Sequence, residues 1–208
     1  MKHESSEGSY TQIMTIMAEK PNMVEAFEDG RLKFTLEMFE HLSDTGMFGE
    51  AHVELLNGEI LVKTMQKPAH AQTVRQLSKL FEQLFGERAL LSAQLPLVML
   101  APPPDFLEPD LTLLNLPAEQ YKDRNPTSND AIVVIEVSDT TLERDRGAKL
   151  EAYARNNIPE YWILNVNETK LEVYREPNGN EYRSRRLFTA GEGVTLLEFE
   201  DVVKWWPT

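Results

Sequence analysis

The chain has 208 residues, 41% of them hydrophobic, no cysteine and a formal net charge of −13, which suits one globular domain with a sizeable core. It excludes disulfides and thiolate metal sites and argues against an electrostatic grip on nucleic acid over the whole surface. No run approaches the roughly 18 uninterrupted apolar residues of a membrane span and no apolar signal core opens the chain, so the expectation is a cytoplasmic protein with no membrane partner.

Residues 1–30 mix Ser, Glu, Met and Gly without a sustained period. They read as a flexible arm or as an element that orders against another subunit, and the domain proper spans 31–208. Thr35 can cap a short helix carrying Leu36, Phe39 and Leu42 on one side. Asn57-Gly58 is a two-residue hairpin signal, because both positions tolerate positive φ, and a strand is expected on each side of it. A helix is predicted over 69–85, with Val74, Leu77, Leu80, Phe81, Leu84 and Phe85 as its apolar stripe and Gly86 as its stop.

Strand signals follow at 89–100. Pro102-Pro103-Pro104 breaks the run, since proline cannot join a central strand. A short strand at 111–114 leaves Asp110, and 115–130 reads as a loop with one helical turn. Residues 131–137 are the candidate for a central strand covered on both faces. Thr140 or Thr141 then caps a helix reaching about residue 156. Residues 161–166 and 170–174 form a hairpin around Asn167-Glu168, with further strands at 181–188 and 194–197. The order predicts an α/β fold, a mixed sheet with helices packed on it.

Two carboxylates stand out. Asp110 follows Pro109 at the head of a strand, and Glu136 sits inside Val-Val-Ile-Glu-Val at 133–137. An ionised Glu136 in so apolar a run is costly to bury without a partner. A divalent metal is one such partner and points to hydrolysis of a charged substrate. Magnesium takes oxygen ligands and keeps several waters, so one or two carboxylates suffice. Asp110 reads equally as a turn residue after proline, and Glu136 as an edge-strand residue facing water. Lys149 borders the packing face of its helix and could reach back to the carboxylates to hold the attacking water. Alternatively it is a solvated lysine paired with Asp145 four residues earlier.

Other candidates are weaker. Glu59 directly follows the turn and could add a third carboxylate, or simply face solvent. His70 could cap its helix or touch a ligand. Arg146 could balance Glu136 or snorkel. Lys63, Lys67, Arg75 and Lys79 form one modest basic patch and Arg183, Arg185 and Arg186 another, though both also read as solvated faces. The tryptophans do not interleave with them as base-stacking residues would.

Several segments in order resemble the restriction-endonuclease-like PD-(D/E)XK superfamily and, within it, the Uma-type family of bacterial endonucleases. They are Val-Glu-Leu-Leu-Asn-Gly-Glu-Ile at 53–60, Pro-Ala-His at 68–70, Glu-Pro-Asp-Leu at 108–111 and Val-Ile-Glu-Val-Ser at 134–138. They continue as Arg-Asp-Arg-Gly-Ala-Lys-Leu-Glu-Ala-Tyr-Ala at 144–154 and Ile-Pro-Glu-Tyr-Trp-Ile at 158–163. The resemblance implies a restriction-endonuclease-like mixed β-sheet flanked by helices. It implies Mg2+, or Mn2+ in its place, on Asp110 and Glu136, and hydrolysis of phosphodiester bonds in nucleic acid, DNA first. It also implies a homodimer, since cutting both strands of a duplex needs two sites. The superfamily lysine two residues after the second carboxylate is Ser138 here, so the resemblance makes Lys149 its replacement and Glu59 the added acidic residue. A rival expectation is a binding or assembly module that keeps the fold without turnover, motivated by Ser138 and the net negative charge.

Overall fold

The computed structural model describes residues 27–28, 31–63 and 65–205. The arm expected over 1–30 lies outside the described residues except for β1 (Phe27–Glu28), which pairs antiparallel with β2 (Arg31–Leu32). Thr35 caps as expected. Its hydroxyl accepts a hydrogen bond from the Met38 N–H at 3.2 Å, satisfying a donor that the first turn leaves open. The helix α1 (Leu36–Asp44) that follows buries Met38 and Phe39.

The predicted hairpin is β3 (Val53–Leu56) and β4 (Glu59–Val62), turning on Asn57 at φ 51° and Gly58 at φ 75°. A β-carbon at Gly58 would stand 2.9 Å from the Lys33 Cβ. Gly58→Ala is therefore expected to cost more than about 1 kcal/mol, from the positive φ and this contact together, read as a lowered urea midpoint at unchanged slope.

Helix α2 (Pro68–Phe85) begins on a proline, whose missing N–H costs nothing at that position, and buries Val74, Leu77, Phe81 and Phe85. Gly86 does close it, but in a right-handed conformation (φ −57°) rather than the left-handed cap.

The strand signals at 89–100 divide into β5 (Leu90–Ala93) and β6 (Leu97–Met99), which join different sheets. Gln94 at φ 54° and Pro96, which has no N–H to give a ladder, turn the chain between them. After the prolines, β7 (Asp105–Leu107) is a strand that the composition hides, and β8 (Leu111–Leu114) follows. The expected loop carries two short 3-10 turns. Then come β9 (Ala131–Ser138), the helical pieces α3 (Leu142–Arg144) and α4 (Leu150–Arg155), β10 (Glu160–Asn165), β11 (Lys170–Asn178), β12 (Glu181–Thr189), β13 (Val194–Thr195) and β14 (Val202–Val203).

Two main sheets thus replace the single one expected. The larger has the order β12-β11-β10-β9-β8-β5, with β9 and β10 its only parallel pair, and the smaller is antiparallel, β4-β3-β7-β6. Strand β9 is covered on both faces. Val133, Ile135 and Val137 pack with α2 through Leu77, Phe81 and Phe85. Val134 lies in a second core with Tyr153, Tyr161 and Ile163 and with Leu56, Met99 and Leu107 of the smaller sheet. Among the described residues no helix is long and apolar enough to cross a membrane.

Candidate active site

Alternation along the second half of β9 sends Val133, Ile135 and Val137 to α2 and leaves Glu136 and Ser138 on the same face as Val134, towards the second core. Leu111 of β8 pairs antiparallel with Ile135, and Thr112 with Val134. Continuing that register puts Asp110 across from Glu136, so the two acids share one face at adjacent strand ends. Asp110 is held firmly. Its Oδ2 accepts the Val137 N–H at 2.8 Å and meets His70 Nε2 at 3.1 Å, while its Oδ1 accepts from Gln94 Nε2 at 3.2 Å. Burial works to raise the Asp110 pKa, but the hydrogen bond and charge of His70 and the Val137 N–H outweigh it and hold the carboxyl below its usual range. His70 is the other half of this pair. Burial opposes its charge, yet Asp110 and then Glu136 raise its pKa above the ordinary value.

Lys149 is 3% exposed. Its ammonium donates to Glu136 Oε1 at 2.8 Å and to Glu54 Oε1 at 2.9 Å. One turn on, the Tyr153 hydroxyl donates to the same Glu136 oxygen at 2.7 Å. Burial disfavours the ammonium, but Glu136, Glu54 and Asp145 raise its pKa far beyond the ordinary lysine value. The two carboxylates thus favour the ammonium form of Lys149.

The helix that carries it is not the continuous one expected from Thr141 to residue 156. It breaks at Gly147 (φ −106°, ψ −107°), and a single π turn, Asp145–Lys149, joins α3 to α4. Asp145 and Lys149 are the ends of that turn, and both are buried. Such wide turns recur at functional sites. Asp145 does not hydrogen-bond Lys149; its Oδ2 accepts from Ser138 Oγ and Thr141 Oγ1, both at 2.6 Å. Ser138 is thus committed to Asp145.

Asp110, Glu136 and Lys149 come together; Glu59 does not join them. It stands at the turn end of the hairpin with its carboxylate exposed and 2.9 Å from Lys33 Nζ. The acid that the hairpin contributes is Glu54, two residue pairs further along the ladder. Glu54 has the signal that singled out Glu136, a carboxylate inside an apolar strand, Val53-Glu54-Leu55-Leu56. Arg146 does not balance Glu136 either; it meets Glu172, which also takes Arg185 and the Tyr174 hydroxyl. Spacing offers Asp145 only as a surface partner of Lys149, and nothing local marks Tyr153.

The acids crowd the cleft lined by His70, Asp110, Glu136, Asp145 and Lys149. Burial first, then repulsion from Asp145, Asp110 and Glu54, outweighs Lys149 and pushes the Glu136 pKa up to about 7. Glu54 Oε2 is buried with no hydrogen-bond partner among the described residues. Glu54 and Glu136 share the single ammonium of Lys149, while Lys63, Lys67 and Arg144 stand elsewhere along the cleft. Asp110 Oδ1 takes a single donor, and both donors to Glu136 converge on Oε1, so each acid keeps oxygen lone pairs uncommitted among the described residues. No group of three or more His, Cys, Asp or Glu among the described residues forms a ready cage. Hard oxygens from two carboxylates fit magnesium, which keeps most of its waters.

Residues 36–204 match the model of the Uma2 family, described as "Putative restriction endonuclease". No curated protein matches the chain. Among solved structures the chain is similar to the crystal structure of "a putative nuclease belonging to DUF820" from Anabaena variabilis ATCC 29413, with a TM-score of 0.55 and 14% identity over 70% of this chain and 82% of that one. At that identity the likeness is one of fold, and the mixed sheet flanked by helices is the restriction-endonuclease-like architecture.

Proposed function

Because this chain belongs to the Uma2 family, we propose that the cleft is the active site of a metal-dependent endonuclease hydrolysing phosphodiester bonds of nucleic acid. One observation carries the reading: a buried ammonium 2.8 Å from Glu136, with Asp110 opposite Glu136 on the neighbouring strand. Asp110 and Glu136 are the residues to hold Mg2+ or Mn2+. Bound there, such an ion supplies an acidified water and neutralises charge on a phosphoryl oxygen.

The remaining roles belong to the chain. His70, Gln94 and the Val137 N–H fix the Asp110 carboxylate. Tyr153 and Lys149 fix Glu136 through one oxygen and leave the other for the cleft. Glu54 holds Lys149 from the far side, so the ammonium is preorganised where negative charge develops on the phosphate. DNA as substrate and a homodimer supplying two clefts for two strands belong to the same proposal.

The test joins cleavage to metal binding. Wild-type protein is expected to cut DNA in Mg2+ or Mn2+, and Glu136→Gln is not. Magnesium is expected to raise the wild-type melting temperature, by about 2.7 kcal/mol of stability at 100 times its dissociation constant, and to leave Glu136→Gln unshifted. A wild-type protein that cuts no form of DNA or RNA in either metal overturns the reading.

A further inference from the structure

The cations of the cleft are matched by acids, with one exception. Lys149 is held by Glu54 and Glu136, His70 by Asp110, Lys67 by Asp139 at 3.2 Å, and Lys63 by Glu108 at 3.7 Å and by its carbonyl at 2.7 Å. Arg144 also lines the cleft, and among the described residues it makes neither a hydrogen bond nor an ion pair. Its Nε is buried and has no acceptor. A guanidinium cannot shed its proton to escape that cost, and a buried donor left unpaired costs about 1–3 kcal/mol. The missing partner is an acceptor, and an anionic one.

The place of Arg144 says which anion. It borders two depressions at once, the catalytic cleft and a shallow neighbour walled by Val62, Thr140, Thr141 and Glu143. A ligand that enters the cleft and continues into the neighbour passes over the guanidinium. The planar fork of arginine suits the paired oxygens of a phosphodiester. Building on the nuclease reading, we propose that Arg144 binds a backbone phosphate beside the scissile one, on a nucleic acid strand running from the cleft into the adjoining depression. This also answers the charge of −13: the grip is one unneutralised arginine at the lip of the site and needs no basic surface.

The test is binding of short fluorescein-labelled single- and double-stranded DNA and of RNA of the same lengths, followed by anisotropy with divalent metal chelated so that no strand is cut, across a series of potassium chloride concentrations. Arg144→Gln is expected to lose about tenfold in affinity at low salt, and its log–log salt slope is expected to shrink by about one phosphate contact. Arg144→Lys keeps the slope and recovers part of the affinity, since it keeps the charge but not the fork. Neither variant lowers the melting temperature, because the arginine has no partner among the described residues to lose. If the parent protein binds DNA and Arg144→Gln binds it with equal affinity and slope, the proposal fails and the nuclease reading stands. If Arg144→Gln melts lower in step with its lost affinity, the arginine is structural and the proposal also fails. If the parent protein binds neither DNA nor RNA, the nuclease reading fails and takes this proposal with it.

Discussion

Lys149→Met is expected to destabilise the metal-free protein by about 3–5 kcal/mol at neutral pH, the cost of leaving a buried charge without its partner. Methionine fills most of the lysine's volume, so the loss is electrostatic rather than a cavity. Two carboxylates, Glu54 and Glu136, lose the ammonium that both touch. Tyr153 still donates to Glu136 and the Glu108 N–H still donates to Glu54, but neither supplies charge. The deficit depends on pH, and its sign follows from the acids. Without Lys149 both carboxyls have folded-state pKa values above their unfolded ones, so the folded protein binds more protons than the unfolded chain and stability falls as pH rises. The deficit is therefore larger at about pH 8 than at about pH 5. Glu136 already shows the trend in the wild type. Its pKa of about 7 means that its contribution is present below the ordinary glutamate range and is lost as pH rises through about 7. Urea titrations at both pH values with metal chelated measure the effect. Replacing Glu54 and Glu136 with glutamine in the same chain is expected to restore most of the stability. An unchanged urea midpoint in Lys149→Met would show that the buried ion triad contributes nothing.

Asp110→Asn separates turnover from folding. An asparagine keeps an acceptor for the Val137 N–H and nearly the shape of the aspartate, but it loses the charge that a metal needs. Cleavage is expected to fall at least about a thousandfold, roughly 4 kcal/mol of barrier, with the fold intact by circular dichroism. The His70 pKa, raised through Asp110, is expected to drop in the same variant, and an imidazole proton titration by NMR reads it directly. Cleavage at the wild-type rate would remove Asp110 from the chemistry.

Local signals carried far in this chain. Asn57-Gly58, the stripe of α2 and the apolar run of β9 each specify an element through spacing of a few residues, and each forms as expected. The partners of charged groups are the part that spacing could not supply. Lys149 has Asp145 four residues before it, the only acid a helical period can offer, yet its ammonium binds Glu136 and Glu54. Those contacts exist because β3 packs over the face of β9 that bears Glu136, and packing between sheets leaves no periodicity in either strand. Strand β7 was hidden for a related reason. Three prolines precede it, and what holds it is Asp105, fully buried, accepting from the Asn57 N–H at 2.6 Å and from Arg155 at 2.7 Å. Glu59 and Glu54 differ only in depth along one hairpin. The choice between them was open to the sequence, because Glu54 alone has apolar neighbours on both sides.

The ion triad also orders events during synthesis. Glu54 leaves the ribosome 95 residues ahead of the lysine that neutralises it. Until that lysine emerges, docking the β3–β4 hairpin onto the central strand would seal two carboxylates away from water with no counter-charge, which is costly. Assembly of the cleft is thereby tied to the emergence of Lys149, and a chain translated only that far has every acid of the site but no competent centre.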